Sequence, residues 1–131
     1  MNDTLQYIKL GAAAVSAAAS YLFGGLDMLL FVLLVLMGMD YLTGVLCGIA
    51  KRELSSRVGF QGIIKKVCIL CIVAVAHLVG KAVGICEVRS FVIGFYAANE
   101  GISILENAGT LGVPLPKRLT NVLEQLRNDG E

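Results

Sequence analysis

The chain has 131 residues, enough for one domain, and a formal net charge of only +1. Its residues are 56% hydrophobic and 16% charged, and its mean hydropathy is +0.77, whereas soluble globular domains carry about 25% charged residues. This composition excludes an ordinary soluble domain. The small, scattered charge gives no reason to expect a nucleic-acid partner. We therefore expect an all-α integral membrane protein whose main surroundings are the lipid bilayer.

Apolar stretches predict about four transmembrane helices, because a helix needs about 20 apolar residues to cross a bilayer. We place the spans at about 7–23, 26–50, 67–85 and 91–107, within one membrane domain covering 1–131. A signal peptide is an alternative interpretation of the first span, but Asp3 weakens the positive region before it and favours an uncleaved helix.

The residues after the fourth span predict a short amphipathic helix at 116–128. Pro114 and Pro116 interrupt helical structure before it, because proline cannot continue a helix. Its apolar face consists of Leu119, Val122, Leu123 and Leu126. We expect this tail to lie on the bilayer or to pack against neighbouring helices.

Lysine and arginine are concentrated between the second and third predicted spans. This loop contains Lys51, Arg52, Arg57, Lys65 and Lys66. The connectors on the opposite side carry almost no positive charge. The positive-inside rule therefore places the 51–66 loop in the cytoplasm, and an even number of spans predicts that both termini lie there too.

The fourth predicted span is unusual because it carries two carboxylates and two amides. An ionisable residue at membrane depth costs roughly 2.5–3.5 kcal/mol on insertion scales and suggests a function by default. A helical projection collects the polar side chains on one stripe, which we call the polar seam. The polar seam consists of Tyr96, Asn99, Glu100, Ser103, Glu106 and Asn107. Other helices of the same chain could satisfy it, or it could line a pore or a subunit contact.

Three ionisable residues fall at a similar predicted depth in the bilayer. At 1.5 Å per residue, Asp40, His77 and Glu100 each lie about 15 Å from an end of their spans. We expect them to form a buried polar layer in which His77 bridges the two carboxyl groups. Alternatively, His77 donates a hydrogen bond to a neighbouring backbone carbonyl.

Small residues recur at four-residue intervals on three of the predicted spans. They are Ala12, Ser16 and Ser20 in the first span, Gly44 and Gly48 in the second, and Gly80 and Gly84 in the third. Such faces allow membrane helices to approach closely. We expect a tightly packed bundle that associates with other copies of itself.

The residues do not assemble into a recognisable catalytic or metal site. Cys68 and Cys71 have the spacing of a zinc or redox motif. They lie in an apolar segment without a second pair, so we interpret them as small buried hydrophobic residues. We expect no catalytic residue, no cofactor, no metal and no enzymatic activity.

Three motifs together resemble the toxin secretion/phage lysis holin family. They are DYLTGV at 40–45, SSRVGFQGIIKK at 55–66, and YAANEGISILEN at 96–107 followed by GVPLP at 112–116. The resemblance covers about residues 26–127, and the last motif is its most specific part. The first span is generic and contributes little.

Membership of that family would imply a holin. Such proteins accumulate in the bacterial cytoplasmic membrane, self-associate, and open lesions through which an endolysin or a large toxin leaves the cytosol, without necessarily contacting that cargo. The alternative functions are a small ion channel or transporter, or a non-pore subunit of a membrane complex.

Overall fold

Five α-helices make up the described part of the protein. The computed structural model describes the backbone of residues 2–130 and their side chains except those of 123, 126, 127, 129 and 130. The helices are α1 (Asn2–Phe23), α2 (Met28–Lys51), α3 (Ser56–Val83), α4 (Glu87–Thr110) and α5 (Lys117–Gly130). The chain is 86% helical, with no strand in the described part, which confirms the all-α prediction. Two of these helices, α2 and α3, are long and apolar enough to cross a membrane.

Side-chain caps determine where α2 and α3 begin. Asp27 accepts a hydrogen bond from the Leu30 backbone N–H at 2.9 Å, and Ser55 accepts one from the Val58 N–H at 3.2 Å. Each cap satisfies a backbone donor that a helix start otherwise leaves unpaired. The third helix therefore begins at Ser56 instead of 67, and most of the predicted basic loop is helical. Lysine and arginine are good helix formers, so their charge did not end the helix.

The helices α2, α3 and α4 share one apolar core. Leu33 of α2, Val73 of α3 and Ile93 of α4 are fully buried in it, with Leu30 and Met37 beside them. The start of α4 contacts the start of α2 through Arg89 and Asp27, and Asn107 near the end of α4 contacts α2 near its end. The two helices therefore run parallel, and α3 runs antiparallel to them.

Helices α1 and α5 lie at the periphery. Helix α1 packs against α3, with Lys81 Nζ 5.8 Å from the centre of the Tyr21 ring, but none of the residues of α1 is buried. Helix α5 packs against α4. Leu119 and Val122 of its predicted apolar face are exposed, whereas Leu123 and Leu126 lie outside the described side chains.

Arg89 connects the beginning of α4 to the turn between α1 and α2 through hydrogen bonds. Its Nε donates to the Phe23 carbonyl at 2.6 Å and one terminal nitrogen donates to the Gly25 carbonyl at 3.1 Å. Its two terminal nitrogens also bind the two Asp27 oxygens at 2.8 and 3.1 Å. The hydrogen bonds and charge of Arg89, with the Leu30 N–H, lower the pKa of Asp27 from 3.8 to about 2.

This lowered pKa predicts a pH dependence of stability. An ionised Asp27 stabilises the fold fully above its unfolded pKa of 3.8, and that contribution disappears as pH falls through the folded pKa of about 2. Asp27→Asn can still cap α2 but cannot pair with Arg89. We expect it to lose less than about 1 kcal/mol at neutral pH, because the pair is partly solvated.

Thermal unfolding in detergent micelles across this acid range measures the effect. The difference between wild type and Asp27→Asn should narrow as pH falls from about 4 towards 2. Asp3→Asn, which removes the same charge from exposed α1, is the control and should follow the wild-type profile. A constant difference at every pH would contradict the assignment.

Candidate functional site

The buried polar group of the protein is an ion cluster of Asp40, Lys66 and Glu100, one from each core helix. Lys66 Nζ donates to Asp40 Oδ2 at 2.7 Å and to Glu100 Oε2 at 3.0 Å. Glu100 is only 5% exposed and is the charged residue buried within the described core. The side chains of Lys66 and Asp40 are 18% and 17% exposed. A single ammonium group therefore holds two carboxylates from two other helices.

The positions of the helix ends explain why Lys66 enters this cluster. Asp40 precedes the end of α2 by eleven residues, and Lys66 follows the start of α3 by ten. Because the two helices are antiparallel and joined by a short connector, these residues lie at one level. Glu100 reaches the same level from α4.

The structure places His77 elsewhere than the predicted polar layer. His77 follows Lys66 by eleven residues on α3, or about 16 Å along a helix. It lies against Gly24, since a Cβ at Gly24 would be 2.8 Å from the His77 ring. Asp40 and Glu100 do come together as predicted, but Lys66 is the bridging residue. The earlier start of α3 shifts every depth on that helix and accounts for the error.

Asn107 continues the polar contact between α4 and α2. Its Nδ2 donates to Asp40 Oδ1 at 3.2 Å and to Thr43 Oγ1 at 2.9 Å. Its backbone carbonyl accepts from Cys47 Sγ at 3.3 Å. Asp40 therefore has a partner on each carboxylate oxygen: an ammonium on one and an amide on the other.

The polar seam divides between inward and outward positions. Glu100 is buried, Tyr96, Asn99, Ser103 and Asn107 are half-buried, and Glu106 is exposed. Tyr96 packs against the apolar core and makes an edge-to-face contact with Phe95 at 5.1 Å. In this conformation, helices of the same chain bind Glu100 and Asn107 directly.

A cavity of about 550 Å³ adjoins the ion cluster. It is lined by residues of α2, α3, α4 and the connector at 53–55, and it is partly open to solvent. Its polar lining includes the ion cluster with Ser103 and Asn107, and also Glu53, Ser55, Gln61 and Lys65. Gly44, Gly48, Gly59 and Gly62 are among its walls, so small residues leave the space that water or a side chain can occupy.

The predicted packing residues have different environments. A Cβ at Gly80 would lie 2.6 Å from the Ile85 carbonyl oxygen, so this glycine does permit a close approach at the α3–α4 turn. Gly44 faces Asn107, Gly48 faces Leu54, and Ser16 and Ser20 line a smaller cavity.

Two of these residues do not contribute to close helix packing. Gly84 has φ +79° and ends α3 as its cap, with open space beside it. Ala12 is exposed. The thiols of Cys68 and Cys71 are free and exposed on α3, contrary to the prediction that these residues are buried.

Comparison with known proteins identifies one matching family and several relatives of the chain. Residues 17–128 match the profile of the bacteriophage holin family. An uncharacterised 14.9 kDa protein of Clostridium perfringens is 42% identical, over 98% of both chains. An uncharacterised protein of Listeria innocua is 43% identical, over 88% of this chain and 84% of its own. The uncharacterised protein YqxH of Bacillus subtilis is 34% identical, over 100% and 92%. No solved structure matches.

Proposed function

Because the chain belongs to the bacteriophage holin family, we propose that it is a holin. It assembles with copies of itself in the bacterial cytoplasmic membrane and opens lesions that release an endolysin or a large toxin. The observation that carries this proposal is the polar seam of α4, whose Glu100 is held inward by the ion cluster between three helices. A seam of this kind can be hidden from lipid in one arrangement and line water in another.

The proposed topology has four spans with both termini in the cytoplasm. Besides α2 and α3, α1 has 22 residues and α4 has 24, which at 1.5 Å per residue extend over about 33 and 36 Å. Both lengths are sufficient to cross a hydrocarbon core of about 30 Å. Burial of Glu100 inside the bundle reduces the cost of inserting α4, since its charge then faces a partner instead of lipid. The basic residues Lys51, Arg52 and Arg57 around the α2–α3 turn support a cytoplasmic location for this end of the bundle.

Opening would require α4 to leave its partners on α2 and α3. The ion cluster and the Asn107 contacts hold the closed arrangement. Subunits that met through their polar seams would surround water with Glu100, Ser103 and Asn107. Such an element has two packed states, which is the usual basis of a conformational switch. The proposal involves no catalytic step and no cofactor.

Induced expression in bacteria, with and without a cytosolic endolysin, tests the function. We expect abrupt growth arrest with membrane permeabilisation in both strains, and lysis only in the strain that carries the endolysin. Depolarisation without lysis would favour a small ion channel or transporter. Unaffected growth and membrane potential would favour a non-pore subunit of a membrane complex, and either result would overturn the proposal.

Charge reversal on the polar seam gives a second test. Glu100→Lys places a second ammonium group beside Lys66, which should weaken the closed arrangement and shift the onset of lysis. Glu106→Lys changes the exposed part of the seam and should shift the onset through the open assembly. Lysis time after induction is the measurement, with membrane levels of each variant compared by immunoblot. Normal timing in both variants at equal levels would contradict a role for the seam.

A further inference from the structure

The ion cluster contains more negative than positive groups. Two carboxylates, Asp40 and Glu100, share the one ammonium of Lys66. If all three groups are ionised, the cluster carries a net charge of −1 inside the bundle. Asn107 contributes an amide donor to Asp40 but no charge. An uncompensated charge in an interior of low dielectric is costly, and proteins usually remove it by binding a proton.

The neighbouring charges do not correct this imbalance. The other ionisable groups on the cavity wall are Lys65 of α3, Glu53 of the connector and the phenol of Tyr41 on α2. Lys65 and Glu53 have opposite charges, and both are exposed. The part of α4 that lines the cavity adds Ser103 and Asn107 to Glu100, and neither is charged. The excess negative charge therefore stays with the two carboxyl groups.

The cavity gives this cluster access to water. Its wall runs from Asp40, Lys66 and Glu100 to the connector at 53–55. On the opposite side of the cluster, the apolar core contains Leu33, Met37, Val73 and Ile93, all buried. Water in this partly open cavity can reach the carboxyl groups, while packed apolar side chains separate them from the other end of the bundle.

From this geometry we propose that Asp40, Lys66 and Glu100 form a proton-binding site that holds one proton between its two carboxyl groups. The proton enters through the cavity and forms an O–H bond on one carboxyl oxygen, and no other covalent bond changes. Lys66 stays an ammonium and donates to the remaining carboxylate and to the other carboxyl group. The net charge of the cluster changes from −1 to zero. This inference does not depend on lysis and goes beyond the proposed function.

Infrared spectroscopy of the purified full-length protein in lipid nanodiscs tests the site. A protonated carboxyl group has a carbonyl band separate from those of carboxylates and amides, and the band shifts in heavy water. We expect wild type at neutral pH to show this band, to lose it on raising the pH, and to show the shift soon after transfer to heavy water. Absence of the band at neutral pH would overturn the proposal.

Variants that neutralise one carboxyl group of the cluster test whether its excess negative charge binds the proton. Either Asp40→Asn or Glu100→Gln leaves one carboxylate with one ammonium, so the band should disappear in both. Glu106→Gln, on the exposed side of the same helix, is the matched control and should keep it. A band that survives in both cluster variants, or that disappears in the control, would assign the proton elsewhere and contradict the proposal. Because lysis is not measured, this result is separable from the outcome of the holin assay.

Discussion

Replacement of Lys66 by methionine is expected to lower the free energy of unfolding by about 3–5 kcal/mol, the typical cost of removing one partner from a buried ion pair. Lys66 is the cation that both Asp40 and Glu100 contact. Without it, two carboxyl groups from different helices face each other in the bundle. Thermal or denaturant unfolding in detergent micelles measures the loss, and the protein level in membranes should fall with it.

A neighbouring lysine and a compensated variant provide the controls for this prediction. Lys65→Met removes an adjacent exposed charge and should change stability by no more than about 0.5 kcal/mol. The triple variant Asp40→Asn, Lys66→Met, Glu100→Gln removes the whole cluster, and it should recover most of the stability, because no buried charge remains unpaired. Equal losses in the single and triple variants would show that side-chain packing, and not charge balance, is what Lys66 contributes.

Gly24→Ala is expected to destabilise the protein by about 2–5 kcal/mol through two effects. The residue has φ +80°, a left-handed backbone that costs about 1–2 kcal/mol for a residue with a Cβ. The added Cβ would also lie 2.8 Å from the His77 ring and 2.9 Å from Arg89 Nε, and crowding of this kind typically costs 1–3 kcal/mol. Displacement of Arg89 would then loosen its hydrogen bonds to the α1–α2 turn.

The adjacent glycine separates these two effects. Gly25 also has a positive φ, +98°, but nothing lies within 4 Å of a Cβ built there. Gly25→Ala should therefore cost only the backbone part, about 1–2 kcal/mol. Unfolding of the two variants under one condition measures the difference. If both variants lose the same stability, His77 and Arg89 do not restrict residue 24, and the close packing of the turn does not contribute to the cost of Gly24→Ala.

The sequence predicted those site residues that are polar within an apolar stretch. Asp40, Glu100 and Asn107 interrupt hydrophobic stretches, and helical periodicity placed the last two on one stripe. Lys66 was missed because it closes a basic segment that was interpreted as a loop. Ser55 is a favourable helix start, and the apolar residues Ile63, Ile64 and Val67 flank the two lysines. These signals would have extended α3 and placed Lys66 at the level of Asp40.

Tertiary geometry accounts for what the sequence could not provide. His77 of α3 and Arg89 of α4 both lie close to Gly24 in the turn between α1 and α2, and no local pattern encodes that meeting. Gly84 looked like a packing residue in a four-residue repeat, yet its left-handed φ makes it a helix end. The same four-residue pattern therefore contains Gly80, which permits a close approach, and Gly84, which only ends a helix.

The peripheral position of α1 has a practical consequence for imaging and biochemistry. No residue of that helix is buried, and the region matched to the holin family begins only at residue 17. A fluorescent protein or affinity tag joined to the first turn of α1 would touch neither the shared core of α2, α3 and α4 nor the ion cluster. The amino terminus is therefore the place to attach a reporter that follows assembly in living cells.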